Sequence, residues 1–305
     1  MADPIPALGT RPAQAPPPAP TDTDTDTDTD TYAEIPDQPL PSPVAYLLLV
    51  RMWTRAAWQY RASLILTGTA QTLSTCLDLA ALLVIFSQVT TLGGFTLPET
   101  LYLYGTTRLA FALADIVASG AETLSDSIRL GTFDVMLIRP VGTLAQVLAD
   151  QFTPKRFGKL IPSTATLVWA CLNVPIAWTP AKVAVCAGTV LCGTVIYCAL
   201  WVLTNSIAFV ATDAREPANI FTYGGELITE YPFAIFDRPL ALTLTFAIPL
   251  AFVTWQPSLY VLSRTDPFGL PGFLRFAAPV VALAMSLLAS SVWRAAVRHY
   301  RSTGS

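Results

Sequence analysis

The sequence predicts an all-α membrane protein that crosses the bilayer in six transmembrane helices. Hydrophobic residues make up 53% of the 305 residues and charged residues only 13%, about half the charged fraction of a typical soluble domain. The apolar residues are also grouped into six stretches that approach or exceed the ~20 residues a helix needs to span a bilayer. Composition and grouping therefore indicate the same fold class.

The chain is predicted to begin with a disordered tail, followed by a helix on the membrane surface. Residues 1–42 are rich in proline and contain an acidic Thr-Asp repeat, which offers no apolar face for folding. In residues 43–62, Arg51, Arg55 and Gln59 recur every four residues, and aromatic side chains occupy much of the remaining surface. This pattern is typical of a helix lying along the cytoplasmic leaflet, in contact with lipid.

The six predicted spans lie within a transmembrane domain of residues 63–305, at residues 63–86, 99–120, 160–178, 181–211, 240–262 and 273–297. Residues 212–239 are charged, so we predict that they lie in the cytoplasm or at its interface. Basic loops stay on the cytoplasmic side, and only Lys182, Arg264 and Arg275 fall on the other side of this topology. We therefore predict a multi-pass protein of the plasma membrane with both termini in the cytoplasm.

The segment between predicted spans 2 and 3, residues 121–160, is called the polar segment below. It carries nine charged residues, too many for hydrocarbon, yet its apolar residues have helical spacing. Leu124 and Ile128 share one face of a helix that Gly131 ends, and Thr143 and Gln146 have the spacing of a capping box for a second helix. The pattern fits a docking element for a cytosolic partner and a membrane-hugging loop equally well.

Three ionisable residues lie inside the predicted spans: Asp78 in span 1, and Arg108 and Asp115 in span 2. At ~1.5 Å per residue, Asp78 and Arg108 both lie roughly 12–14 Å below the outer surface. Because an isolated charge at that depth is costly, we predict an Asp78–Arg108 ion pair. The pair could fix the packing of the two spans or line a substrate path.

Catalytic motifs are absent from the sequence. The one Gly-Lys pair, Gly158–Lys159, lacks the upstream glycine and the following Ser or Thr of a Walker A motif. The five cysteines lie in apolar segments without a CxxC spacing, which favours buried thiols over a metal site. We therefore predict a non-catalytic chain with no cofactor or metal of its own and no nucleic-acid partner.

Three stretches carry a resemblance to a known family: Gly131–Phe152 (GTFDVMLIRPVGTLAQVLADQF), Leu227–Leu262 (LITEYPFAIFDRPLALTLTFAIPLAFVTWQPSLYVL) and Trp293–Ser305 (WRAAVRHYRSTGS). They resemble the permease subunits of ABC-2-type ABC transporters, especially bacterial permeases described as viologen-exporter-like. The resemblance implies the ABC-2 (type V) exporter permease architecture. It also implies the bacterial inner membrane, and a second permease, identical or different, that completes the translocation path.

The resemblance further implies an ATP-driven exporter in which a separate ABC ATP-binding subunit holds ATP and Mg. That subunit would receive a coupling helix from the polar segment, with Phe133 as an apolar plug. The family commonly has re-entrant helices on the outer side between spans 5 and 6, whereas the loop at residues 263–272 is short. Breaks at Pro249 and Pro257 are therefore expected to supply a smaller gate or kink. The implied coupling residues are Glu122, Ser125, Asp126, Arg129, Phe133 and Asp134.

Two other functions remain open at this point. An ion-gradient-driven secondary transporter would need midplane ionisable residues and inverted repeats; the chain offers Asp78, Arg108 and Asp115 and no convincing repeat. A scaffold or sensor would not need the hydroxyl-rich span 1. The sequence does not identify the substrate: an apolar path with scattered hydroxyls suits amphiphilic molecules, and an organic cation is implied only by the resemblance.

Overall fold

The computed structural model describes residues 42–211 and 215–300, and every regular element within these ranges is a helix. The predicted tail of residues 1–42 therefore lies outside the described residues, apart from Ser42. The α-helices, joined by turns and short 3-10 segments, are α1 (Ser42–Trp58), α2 (Arg61–Gln88), α3 (Leu97–Ala118), α4 (Leu124–Arg129), α5 (Thr132–Leu137), α6 (Thr143–Ala149), α7 (Leu160–Asn173), α8 (Pro180–Asn205), α9 (Arg215–Thr229), α10 (Arg238–Phe246), α11 (Trp255–Val261) and α12 (Ala278–His299).

Three of the described helices are long and apolar enough to cross a membrane: α2, α8 with its continuation to Phe209, and α12. The pair α10 and α11 would raise this number to four if it formed a single span. Helix α3 carries the charged residues Glu99, Arg108 and Asp115, and α7 has only 14 residues. The predicted all-α membrane fold is confirmed, whereas the count of six crossings does not follow from helix length and composition.

Helix α3 is the centre of the fold, and most of its residues are buried, mainly against α7 and α8. Its closest approach is to α7 at Gly105, where an added Cβ would lie 2.8 Å from the backbone nitrogen of Leu167 and 2.9 Å from its Cα. Because any side chain would collide with this backbone, glycine is required for the two helices to touch.

Local sequence signals account for the ends of several elements. Helix α8 begins with Pro180 at its first position and with the backbone N–H of Lys182 donating to the Thr179 side chain (3.3 Å), both common helix-start features. Gly131 ends α4, as the sequence predicts, and its φ of +71° is a conformation that glycine adopts without strain.

The predicted fifth span, residues 240–262, does not run straight. The axes of α10 and of residues 250–261 differ by 78°, with Pro249 in the break. The residues just before and just after this region lie near the N-terminal end of α3. Ala234 packs against Gly93, and Arg264 binds Glu99. The bend lies at Pro249, where the sequence predicts a kink, and the pair α10 and α11 has the geometry of either a broken span or a re-entrant loop.

The second predicted break, at Pro257, is absent from the structure. Pro257 is the third residue of α11, which continues from Trp255 to Val261. Proline is tolerated in the first turn of a helix because an N–H at that position has no partner inside the helix. Pro249 lies at a real bend, whereas Pro257 belongs to a helix start.

The charged segment at residues 212–239 includes a helix that packs against the core of the fold. Helix α9 runs along α3: Tyr223 lies beside Phe111, and the Thr107 hydroxyl donates to the carbonyl of Thr229 (2.8 Å). Ala234 then lies near the opposite end of α3 from Tyr223. The buried Glu226 of α9 is accommodated because Arg108 of α3 supplies its partner.

Candidate functional site

The first feature of the candidate site is a buried ion cluster, here called the Arg108 cluster, formed by Arg108, Asp78, Glu226 and Glu230. The Arg108 guanidinium lies 2.8 Å from Asp78 through Nη2, 3.0 Å from Glu226 through Nη1 and 2.6 Å from Glu230 through Nε. The predicted Asp78–Arg108 ion pair is therefore present. It belongs to a larger set that joins α2, α3 and the C-terminal end of α9.

Burial differs sharply among the carboxylates of this cluster. The side chains of Glu226 and Glu230 are 8% and 4% exposed, whereas that of Asp78 is 46% exposed. Sequence reasoning missed both glutamates because it placed their segment in the cytoplasm. Their spacing of four residues put them on one helical face, but only the packing of α9 against α3 brings that face to Arg108.

A second ion cluster, the Asp115 cluster, consists of Asp115, Arg156 and Lys159. The Asp115 side chain is 2% exposed and binds Arg156 Nη1 and Lys159 Nζ, the latter at 2.8 Å. Sequence analysis placed Asp115 inside span 2 without a partner. Both partners come from the 3-10 turn Pro154–Lys159 at the end of the polar segment. The polar segment is thus anchored directly to α3.

The same turn also contacts α2. The Thr72 hydroxyl donates to the carbonyl of Gly158 (2.9 Å), and a Cβ on Gly158 would collide with the backbone oxygen of Gly68. The backbones of the turn and α2 are therefore in direct contact. A displacement of this turn would move α2 and α3 together.

The first residues of the polar segment are tied to the helix bundle through Glu122. Its carboxylate accepts hydrogen bonds from Trp201 Nε1 of α8 (3.1 Å) and from the Tyr223 hydroxyl of α9 (2.7 Å). Ser125, two residues into α4, is buried. Neither of these predicted coupling residues presents its side chain freely at the surface.

Phe133 contradicts the expectation that it is an exposed plug. Its side chain is fully buried, and its ring lies 5.2 Å from the rings of both Phe209 and Tyr300. Edge-on aromatic packing of this kind stabilises an interior. Phe133 therefore fastens α5 to the segments that follow α8 and α12, and Asp134 next to it is half-buried.

The surface of the polar segment is formed by other residues. Arg129 is exposed and pairs with Asp126 at 3.0 Å. The apolar side chains of Leu130, Val135 and Ile138 are 69%, 48% and 83% exposed. We call the set Arg129, Leu130, Val135, Ile138 and Arg139 the exposed patch.

The predicted capping box at Thr143 and Gln146 is wrong. Helix α6 begins after Gly142 without a side-chain cap, and the Gln146 amide instead donates to the carbonyls of Met136 and Val141, both at 2.9 Å. A buried glutamine that bonds two carbonyls joins the end of α5 to α6. The exposed patch and the rest of the polar segment are thus linked by hydrogen bonds.

We predict that Asp150→Asn makes the protein slightly more stable at neutral pH. Burial raises the pKa of Asp150, although the Thr123 hydroxyl donates to it at 3.4 Å. At pH 7 the carboxylate is ionised, so its burial costs stability; below the pKa of the unfolded chain it is protonated in both states, and that cost is absent. Thermal unfolding of the purified protein should show a higher Tm for the variant at pH 7 and no difference well below pH 3.8, the ordinary pKa of an aspartate. A lower Tm at pH 7 would contradict this.

Comparison with known proteins gives one finding. A family model described as ABC-2 family transporter protein matches residues 72–304, a region that contains both ion clusters and the whole polar segment. No curated protein and no solved structure gives a significant match.

Proposed function

The chain belongs to the ABC-2 family of transporter proteins, and from this premise we propose that it is a permease subunit of an ATP-driven exporter which receives the movement of a separate ATPase through its polar segment. Membership of the family makes the chain a non-catalytic membrane permease of an ABC transporter. The observation that carries the proposal is that the polar segment has an exposed apolar patch and is anchored to α2 and α3 through the Asp115 cluster.

The exposed patch is the proposed contact with the ATP-binding subunit. Apolar side chains as exposed as Leu130 and Ile138 gain about 1.5–3 kcal/mol each when a partner covers them fully. Arg129 and Arg139 at its edges offer charges to acidic groups at the rim of a groove. In this proposal Phe133 supports the patch from inside and does not enter the partner.

Movement is proposed to pass from the patch to the membrane in two steps. Gln146 joins the end of α5 to α6 through its two hydrogen bonds, and the turn that follows α6 binds Asp115 and packs on α2. A push on the exposed patch would therefore reach both α2 and α3. Glu122 holds the start of the segment to α8 and α9, which would give the movement a fixed point.

The topology we propose has six crossings, formed by α2, α3, α7, α8, α9 and α12. Both termini then lie in the cytoplasm, and residues 238–261 form a re-entrant hairpin on the outer side. Support comes from α9, which follows α3 along its length, and from the 78° bend at Pro249. The hairpin would supply the outer element that the short loop after Leu262 cannot.

A second permease, identical or different, is proposed to complete the translocation path beside α2. Only 11% of the most apolar window of α2 is buried inside this chain, so most of this helix is available to lipid or to another subunit. Asp78 lies on it and is half-exposed. Purification from bacterial inner membrane, followed by mass measurement of the intact complex, would distinguish two identical permeases from two different ones.

We expect Ile138→Asp to weaken binding of the ATP-binding subunit at least tenfold. The substitution removes about 1.5–3 kcal/mol of apolar burial, and 1.4 kcal/mol corresponds to a tenfold change in Kd. The measurement is co-purification with the partner ATPase, with Val89→Asp as a matched control because Val89 is also apolar and exposed but lies outside the polar segment. Undiminished co-purification of Ile138→Asp and of Leu130→Asp would overturn the proposed contact.

The ion-gradient alternative is separated from this proposal by energy source. Transport by cells expressing the complete system should stop when ATP is depleted with ion gradients intact. Transport that persists under these conditions and stops with an ionophore would favour a secondary transporter.

A further inference from the structure

The Arg108 cluster has an unbalanced charge. One guanidinium faces three carboxylates, and two of them, Glu226 and Glu230, are almost completely enclosed by protein. Burying a carboxylate without a compensating charge costs several kcal/mol. This enclosure is by protein atoms, so the imbalance does not depend on where the bilayer lies.

The neighbouring charges reduce the imbalance without removing it. The Asp115 cluster, on the same face of α3 two turns away, has two cations for one carboxylate. The other titratable groups near the Arg108 cluster are tyrosines: Tyr104 under Arg108, Tyr197 bonded to Thr229, and Tyr231. A further carboxylate, Glu122, lies beside the Asp115 cluster and has donors of its own, because it accepts hydrogen bonds from Trp201 and Tyr223. Together the two clusters contain three cations and four carboxylates.

One carboxylate oxygen of the Arg108 cluster lacks a hydrogen-bond donor. Glu230 Oε1 is buried and lies 2.6 Å from Arg108 Nε, yet neither atom has a hydrogen-bond partner because the angles are unsuitable. Glu226 does accept a hydrogen bond from Nη1 (3.0 Å). An ionised oxygen with no donor is costly in an interior, whereas a protonated carboxyl is much less so.

We propose that Glu226 and Glu230 form a proton-binding site that holds one proton in this conformation. Two carboxylates beside the same guanidinium share protons as a coupled pair, and one proton balances the four carboxylates against the three cations. The inference goes beyond the proposed coupling to an ATPase and is testable on the isolated permease.

Asp78 gives this site a link to conformational change. It is the only member of the cluster on α2, and its side chain is 46% exposed. If α2 moves and takes Asp78 away from Arg108, three cations face three carboxylates, and the proton can pass to solvent water. By linkage, low pH then favours the state in which Asp78 is bound to Arg108.

Infrared spectroscopy of the purified permease in lipid nanodiscs tests the site, because a protonated carboxyl has a C=O band separate from that of a carboxylate. At pH 7 we expect one such band in the wild type and none in the E226Q/E230Q double variant. E216Q is the matched control, since Glu216 is an exposed glutamate on the same helix, and it should keep the band. An unchanged spectrum in the double variant would overturn the proposal.

Four further variants make the test specific. Asp78→Asn keeps both glutamates but removes one negative charge, so it should abolish the band; a persisting band would contradict the charge-balance argument. E226D or E230D should shift the band, because the protonated side chain changes, whereas D78E should not. A shift in D78E alone would place the proton on Asp78 and overturn the assignment to the glutamates.

Stability provides a readout that does not depend on spectroscopy. A proton held by the folded chain and released on unfolding makes stability fall as pH rises. The Tm of the wild type should therefore fall between pH 6 and pH 8, while that of E226Q/E230Q should fall less. Equal pH dependence of the two Tm values would count against the site. If the double variant fails to fold, the infrared bands of D78N and of the Glu→Asp variants decide whether the site exists.

Discussion

Replacing Asp115 with asparagine will leave ATP hydrolysis by the assembled transporter intact and abolish the movement of α3 that ATP produces. The Asp115 carboxylate, 2% exposed, binds both Arg156 and Lys159. Removing one partner of a buried ion pair typically costs about 3–5 kcal/mol, because the remaining charges are left without compensation. The turn Pro154–Lys159 would then separate from α3 while it keeps its contacts with α2, and the polar segment could move without moving α3.

Val117 offers a direct measurement of this effect, because it is an exposed residue on α3. A spin label at Val117→Cys, with the native cysteines replaced, should change its spectrum when ATP is added to the wild-type complex but not to the Asp115→Asn complex, whereas a label at the exposed Cys76 of α2 should respond in both. Lys155→Gln, in the same turn but outside the Asp115 cluster, is the matched control and should respond normally. A normal response of the Val117 label in the Asp115→Asn complex would exclude the proposed route of movement.

Phe133→Ala is expected to lower the stability of the permease itself by about 3–5 kcal/mol, the usual cost of truncating a fully buried phenylalanine. Phe133 has no exposed surface and packs edge-on against Phe209 and Tyr300. Phe209 in turn lies 5.4 Å from Trp293 of α12. The substitution therefore opens a cavity where α5 meets the ends of α8 and α12.

The same variant distinguishes an interior role from a plug. Thermal unfolding of the purified permease, without any partner, should show a clear fall in Tm for Phe133→Ala and almost none for Leu130→Ala, which truncates a side chain that is 69% exposed. A plug that inserts into the ATPase would give the reverse pattern: normal stability of the isolated permease and lost binding of the partner.

The elements that sequence analysis predicted correctly are those fixed by local spacing. A helix, α1 (Ser42–Trp58), covers most of residues 43–62, where one was predicted, and Gly131 ends α4 as expected. The Asp78–Arg108 pair followed from counting residues along two adjacent helices, because helical rise converts sequence position into depth. Each of these predictions needs only the geometry of one or two neighbouring elements.

The failures share a different cause. The segment that contains α9 was assigned to the cytoplasm or its interface because of its charges, and the pattern did not show that Arg108 would pair with Glu226 and Glu230. Phe133 was judged from the pattern of its own segment, and its burial depends on Phe209 and Tyr300, both distant in sequence. Asp115 was recognised as unusual, but its partners lie in a turn about 40 residues away that pattern alone placed outside the membrane.

The sequence by itself determined that this protein is an all-α membrane chain with a polar segment between two apolar helices, because hydrophobic runs and helical periodicity are local properties of the chain. Only the tertiary structure decided which charges neutralise one another, how sharply the chain bends at Pro249 between α10 and α11, and which side chains of the polar segment face outward. Those features depend on contacts between distant residues, and the cost of an uncompensated buried charge makes such contacts decisive.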